Sequence, residues 1–467
     1  MVTVGVDVED ERKSSKGSAV DVDVELEKPD NSRSPASKES TLVEPKDLLE
    51  AEREATRAAI HDPEDAEKSP FDDYPDGGTR AWLCLMGSYF YQSFGFVNSW
   101  GVFQSYYQQT LLKDESSSNI AWIGSVQYAL TFAPSLITGR LFDLGYLRVP
   151  LFFASCLMIV GTFLTAQCTK YWHFILCQGI VIGISSGLVF GPATAVISHW
   201  WKRRRGFALG LLACGSSIGG TSFPIIFQKL VFKIGFPWTM RVIGFILICT
   251  LAFANLTLRR RLPPVNVSGG LFNLRAFRSP RYTVYTIAGC FSFLGLYTVL
   301  TYINISAVSN GVDENFAFYL VSIANASSFF GRLGGGLLAD RIGAINVMSP
   351  FTLVAGIMTY VWPYVSGKSN YITIAVIYGF ASGAFVSLIS APMIAFGEVS
   401  DVGRRTGLYF SVLALAAVAG PPISGAINTA TGGFHQVGIF AGTMVVVSVV
   451  IMWIARCMVL GSFWGKF

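Results

Sequence analysis

Arg332 stands in the segment FFGRLGGGLLAD, Phe329 to Asp340, where nearly every neighbour is apolar or glycine. At the helical rise of 1.5 Å per residue it lies roughly 12 Å from the charged end of that segment. An arginine held at such depth is costly unless it faces a cavity, a partner or an anion. Its planar fork of N–H donors matches a carboxylate, so the chemistry it offers is recognition of an organic anion. A structural arginine, snorkelling to the inner surface or bonded to neighbouring carbonyls, is the alternative.

Carboxylates are the second kind of candidate, and they are scarce. About 22 of the 30 acidic residues fall in the first 76 positions, so each later one stands out. Asp340 stands in GGGLLADRIG, Gly334 to Gly343, and Asp143 sits in GRLFDLGYLR, Gly139 to Arg148. Both have a glycine four residues before the aspartate, which makes one segment an echo of the other. A carboxylate at a helix end can hold a base of another helix in one conformation and release it in another. Asp143, Arg148, Asp340 and Arg341 are therefore candidate gate residues, with an ordinary helix-end ion pair as the bland alternative. Glu398, at the inner end of an apolar run, is the nearest candidate for coupling to protons.

Other chemistries find no support. The four His, at 61, 173, 199 and 435, are too scattered for a metal box, and the eight Cys lie in or beside apolar runs without ligand spacing. No Ser/His/Asp arrangement and no phosphate-binding G-x-x-x-x-G-K-[ST] is present. The reading is of a chain that is not an enzyme and has no cofactor, with no nucleic-acid partner, because its basic excess is confined to loops.

The elements that must position these residues are apolar helices. Hydrophobic content is 52% and mean hydropathy +0.48, too apolar for a soluble globule, so the lipid bilayer is the expected surrounding. Runs of about 20 residues mark spans at 82 to 105, 120 to 141, 149 to 168, 172 to 197, 205 to 231 and 239 to 258. A second set follows at 281 to 307, 316 to 339, 344 to 365, 370 to 396, 405 to 428 and 435 to 458. They are numbered 1 to 12 below. The expected fold is an all-α polytopic membrane protein of two six-helix halves, 76–258 and 281–460, joined by a linker at 259–280. Residues 461–467 form a short cytoplasmic tail.

Basic residues orient the spans. Arg140, Arg148, Lys202 to Arg205, Arg259 to Arg261, Arg275, Arg278, Arg281, Arg341, Arg404 and Arg405 share one side, which is then the cytoplasm. Both termini are expected there. Residues 1–75, rich in Ser, Glu, Asp, Lys and Pro, read as a disordered acidic cytoplasmic tail. It is either a solvated extension or a contact for trafficking and regulatory proteins.

The paired loops resemble the G-x-L-A-D-R-x-G loop of the major facilitator superfamily, and the second copy is the closer match. Two further segments resemble the signatures of the monocarboxylate porter family: PDGGTRAW, Pro75 to Trp82, and WWKRRRGFALGLLACGSSIG, Trp200 to Gly219. NSWGVFQSYY, Asn98 to Tyr107, looks like the fungal branch of that family. The resemblance implies twelve helices in the major facilitator fold, and an arginine of helix 8, here Arg332, that binds a substrate carboxylate. It also implies a pathway lined by spans 1, 4, 7 and 10, which carry Tyr91, Asn98, Gln178, Tyr297, Tyr302, Asn304 and Ser387. Asn98 and Asn304 occupy corresponding places in the two halves and are the preferred pair, with Tyr91 and Tyr302 beside them. The Pro pair in GPPISG, Gly420 to Gly425, is expected to break span 11.

This chain departs from the family in having Ser328 where similar animal members have Asp, and no Lys in span 1, so proton coupling is not implied. The expectation is a transporter of a small organic anion, a monocarboxylate above all. The alternatives are a carrier of a larger metabolite, for secondary-metabolite efflux or vitamin uptake such as riboflavin, and a non-transporting nutrient sensor. The plasma membrane is the expected site, with a vacuolar or other internal membrane as the alternative.

Overall fold

The structure, a computed structural model, describes residues 74–92, 97–264, 270, 274–397, 401–462 and 465. The expected acidic tail, apart from its last two residues, and Glu398 lie outside the described residues.

Every described regular element is helical, and the helices make twelve crossings. Nine are apolar and long enough to cross a bilayer, and one of these, Arg205–Thr257, contains both spans 5 and 6. Spans 1 and 8 complete the set. Span 1 comprises Gly78–Gln92 and Trp100–Tyr106, continued by a π-helical turn Tyr107–Leu111. Span 8, Glu314–Ile342, carries Arg332 and a run of glycines in place of apolar bulk. The side-chain pattern is inverted relative to a soluble bundle. Phe152, Phe232, Leu256 and Leu415 are exposed where lipid would lie, whereas Ser155 and Thr162 are buried and return their hydroxyls to Leu151 and Met158 carbonyls.

Breaks follow local chemistry. Pro134 lacks an N–H and divides span 2 into Ser117–Phe132 and Ser135–Asp143. Gly235, at φ +78°, turns the chain between spans 5 and 6 in a region other residues resist. The Pro pair does not break span 11 as expected: Val402–Thr431 runs through Pro421 and Pro422 as one helix. Helix 7 supports that turn from the side, the Tyr302 hydroxyl donating to the Pro421 carbonyl at 2.9 Å.

The two halves repeat each other in detail. Ser116 and Asp313 cap spans 2 and 8 at corresponding ends, accepting from Asn119 and Phe316 N–H groups. Gly145 and Gly343, each at φ +99°, make the turns into spans 3 and 9, so the degenerate first loop keeps the geometry of the second. Between halves, span 8 packs along span 5 and span 11 along span 2.

The two signature segments meet. Asp76 Oδ1 accepts from the Lys202 and Arg203 N–H groups at 2.7 and 2.8 Å, and Trp82 packs edge-on against Trp201 with centroids 5.4 Å apart. The start of span 1 is thereby fixed to the basic loop before span 5.

Candidate functional site

Asp143 ends span 2 and is 1% exposed. Its Oδ1 accepts from the Gly403 N–H at 3.0 Å and its Oδ2 from the Arg404 N–H at 2.8 Å. These donors are in the first turn of span 11, where backbone N–H groups have no partner within the helix. Asp340 does the same to span 5, accepting from Gly206 at 2.7 Å and Phe207 at 2.9 Å. Each carboxylate lies at the C-terminal end of its own helix, where the helix dipole disfavours negative charge. It also lies on the N-terminus of a helix from the other half, where the dipole favours it. The two carboxylates thus tie the halves together at the base-rich end, and separating the halves would expose both.

Close backbone approach makes the contact possible. A Cβ on Gly206 would stand 2.6 Å from the Gly336 carbonyl, and one on Gly403 would stand 2.5 Å from Asp143 Oδ1. Only glycine lets these helices touch.

The four gate residues named from sequence divide evenly. Asp143 and Asp340 are at the interface between halves, whereas Arg148 and Arg341 are exposed and, among the described residues, make no hydrogen bond or ion pair. Arg341 follows Asp340 by one position, about 100° around the helix, so its side chain leaves on another face. Arg148 opens span 3 on the outside of the bundle. The cation that the fold brings to Asp143 is Arg260 of the linker. Its guanidinium donates to the Phe142 carbonyl and, at 3.1 Å, to the Asp143 carbonyl, and it lies 5.1 Å from the centre of the Phe142 ring. It stabilises the C-terminus of span 2, where positive charge is favourable.

Further into the bundle is a central cavity of about 80 Å³, walled in part by Tyr91, Asn98, Phe132, Phe190, Phe293 and Tyr297. The Phe132 ring meets Phe190 and Phe293 at 5.1 Å, edge-on in each case. Arg332 lines two smaller spaces that share walls with it. At 4% exposure its guanidinium is held by protein: Nε donates to Ser328 Oγ at 3.0 Å, and Nη1 to the Ala213 carbonyl at 2.6 Å and to Ser216 Oγ. Ala213 and Ser216 belong to span 5, so the arginine ties the halves together. Among the described residues its Nη2 has no hydrogen-bond partner.

The other predicted site residues are scattered. Tyr91 lines the central cavity, but its hydroxyl donates to the Leu151 carbonyl at 3.2 Å and shares a 2.8 Å hydrogen bond with Ser155. Asn98 also lines it, and its carbonyl accepts from Asn325 Nδ2 at 3.3 Å. Tyr302 is engaged with Pro421. Asn304 lines a different cavity, so Asn98 and Asn304 are not brought together as expected. Asn304 is five residues from the outer end of span 7, whereas Asn98 lies in the short 3₁₀ segment Val97–Ser99 of span 1. Phe132, Phe190, Phe293, Ser216 and Arg260 were missed. Three are aromatic residues in apolar runs, which look the same in sequence whether they face a cavity or lipid.

Two six-helix halves, capped across their interface and enclosing a cavity between them, define a membrane transporter. The chain belongs to the Major Facilitator Superfamily, whose family model matches residues 85–396. It is similar to the aspyridones efflux protein of Emericella nidulans, 37% identical over 82% of this chain and 79% of that protein. It is likewise similar to the fujikurins efflux protein of Gibberella fujikuroi, 37% identical over 82% of this chain and 84% of that one. Among solved structures, the human organic anion transporter MFSD10 shares the fold, with a TM-score of 0.62, 16% identity, and 80% of this chain and 99% of that chain covered. The fucose transporter FucP in its outward conformation aligns comparably, with a TM-score of 0.62, 17% identity and coverage of 81% and 98%. The chain is a multi-pass membrane transporter and not an enzyme.

Proposed function

We propose that this transporter exports an apolar, aromatic secondary metabolite by alternating access around the central cavity. The observation that carries this reading is the aromatic wall formed by Phe132, Phe190, Phe293 and Tyr297. Aromatic rings recognise flat apolar ligands by stacking and edge contacts, whereas a short monocarboxylate offers them little surface. Two relatives that are 37% identical to this chain over the aligned segments are named as efflux proteins, for aspyridones and fujikurins, which supports export over the monocarboxylate expectation. The cavity, at 80 Å³, has room for about six waters. Loading a metabolite requires one end of the bundle to open, and the Asp143 and Asp340 caps govern the base-rich end.

Arg332 favours a second reading, in which the cargo carries a carboxylate that takes the unpartnered Nη2 edge. The plasma membrane is the proposed location. Among the described residues no carboxylate lines the central cavity or the spaces beside Arg332.

The test uses everted vesicles from a strain lacking endogenous exporters. They are offered labelled polycyclic aromatics, aromatic carboxylic acids and short monocarboxylates. Accumulation of the aromatic compounds, reduced about tenfold by Phe190→Ala, is expected. Accumulation of short monocarboxylates alone would overturn the proposal.

A further inference from the structure

A second cavity, of about 290 Å³, lies between the halves at the end of the bundle opposite the aspartate caps. Span 1 contributes Ser105 and Gln109, span 7 contributes Asn304 and Val308, and the start of span 8 contributes Glu314 and Phe318. In this conformation it is larger than the central cavity. At its rim the Gln109 amide donates to the Glu314 carboxylate, a contact between halves.

Asn304 is the residue that marks this space as a site. It is 3% exposed, yet among the described residues neither its Nδ2 nor its Oδ1 has a hydrogen-bond partner. A buried amide with both ends unmet is costly, and natural folds leave such a group where water or a ligand completes it. The amide offers a donor and an acceptor side by side, and the group that answers both is another amide, a lactam or a similar neutral donor–acceptor pair. The other walls agree with that chemistry. Ile305, Val308, Ala317 and Phe318 are apolar, four further lining residues are polar and uncharged, none of the described lining residues is basic, and Glu314 at the rim repels an anion.

We propose that this outer cavity is an exit-side binding site for the neutral, amide-like head of an otherwise apolar cargo, with Asn304 as its recognition residue. The inference rests on the export reading above, and it adds a second station after the central cavity. Cargo leaving the aromatic walls would exchange ring contacts for a paired hydrogen bond before the Gln109–Glu314 rim parts.

Photolabelling of the full-length protein in lipid nanodiscs with tritiated 4-benzoylbenzamide, a neutral aromatic amide, tests this. Labelled positions are assigned by mass spectrometry. The expected result is label around Asn304 to Phe318 as well as around Phe190, with the outer label lowered about tenfold by Asn304→Leu and the central label retained. Should Asn304→Leu fold poorly, Phe318→Trp, which fills the cavity instead, carries the same expectation. Central label without outer label, or outer label indifferent to both variants, overturns the inference and leaves the export reading standing. Outer label alone supports the outer site while removing the central one, and label at neither place overturns both.

Discussion

Asp143 and Asp340 perform the same task from opposite halves: each carboxylate caps the first turn of a helix that belongs to the other half. The relationship gives the base-rich end two equivalent ties between the halves, and we propose that they act as a latch. Neither uses Arg148 or Arg341, the arginines named beside them from the sequence.

Asp340→Asn keeps the size of the side chain but removes the charge and one acceptor. Loss of a helix cap and of its dipole interaction is worth about 1 to 2 kcal/mol, so the docked arrangement should become roughly 5 to 30 times less favoured. Transport should fall with surface expression unchanged, and a cysteine introduced at Ser135, which is buried on the companion seam of span 2 against Gly407 of span 11, should become reactive from the cytoplasmic side. Unaltered transport and unaltered reactivity would count against the latch.

Gly206→Val tests the approach of the helices directly. Its side chain would be driven into the Gly336 carbonyl, and overpacking of this kind costs about 1 to 3 kcal/mol. The variant should reach the membrane and elute as a single species, yet remain open at the base-rich end and lose most of its transport. Normal turnover would show that the contact is not needed.

The three arginines around the latch should behave differently. Arg148→Ala and Arg341→Ala remove exposed side chains and should change stability by no more than about 0.5 kcal/mol. Arg260→Ala removes the donor to the Phe142 and Asp143 carbonyls, and should cost about 1 to 3 kcal/mol along with part of the transport rate. Thermal melting in detergent and vesicle transport separate them.

Arg332 has a structural role and a proposed ligand role, and two measurements divide them. Arg332→Ala removes the donor to Ser216 Oγ and leaves the Ala213 carbonyl only the Ser216 hydroxyl, a loss of about 1 to 3 kcal/mol visible as a lower melting temperature. If the cargo carries a carboxylate, stabilisation of the wild type by aromatic carboxylic acids should also vanish in this variant, and Arg332→Lys should not restore it because the planar fork is lost. Retained stabilisation by the acids would leave Arg332 as a tie between the halves alone.

The candidate site was only partly legible in the sequence. Charge in an apolar run is a strong signal because burial makes it costly, and it singles out Asp143, Asp340 and Arg332, which the fold places between the halves. The aromatic walls were not found, since Phe132, Phe190 and Phe293 carry no mark that separates a cavity face from a packed one. Arg260 was counted among residues that orient the chain, and its contact with the end of span 2 depends on how the linker folds back. Asn98 and Asn304 show the limit of reasoning from the repeat: corresponding positions in two halves need not line the same space.

Sequence alone determined the class: twelve apolar runs in two sets, an internal echo at the loops after spans 2 and 8, and the few charges that matter. These are properties of composition and periodicity, which a local stretch of chain reports by itself. Tertiary structure decided the partners. Asp340 meets a backbone 134 residues away and Asp143 one 260 residues away, and no local pattern encodes those distances. The partners are N–H groups that every residue but proline carries, so they become specific only when a helix end is placed against the carboxylate.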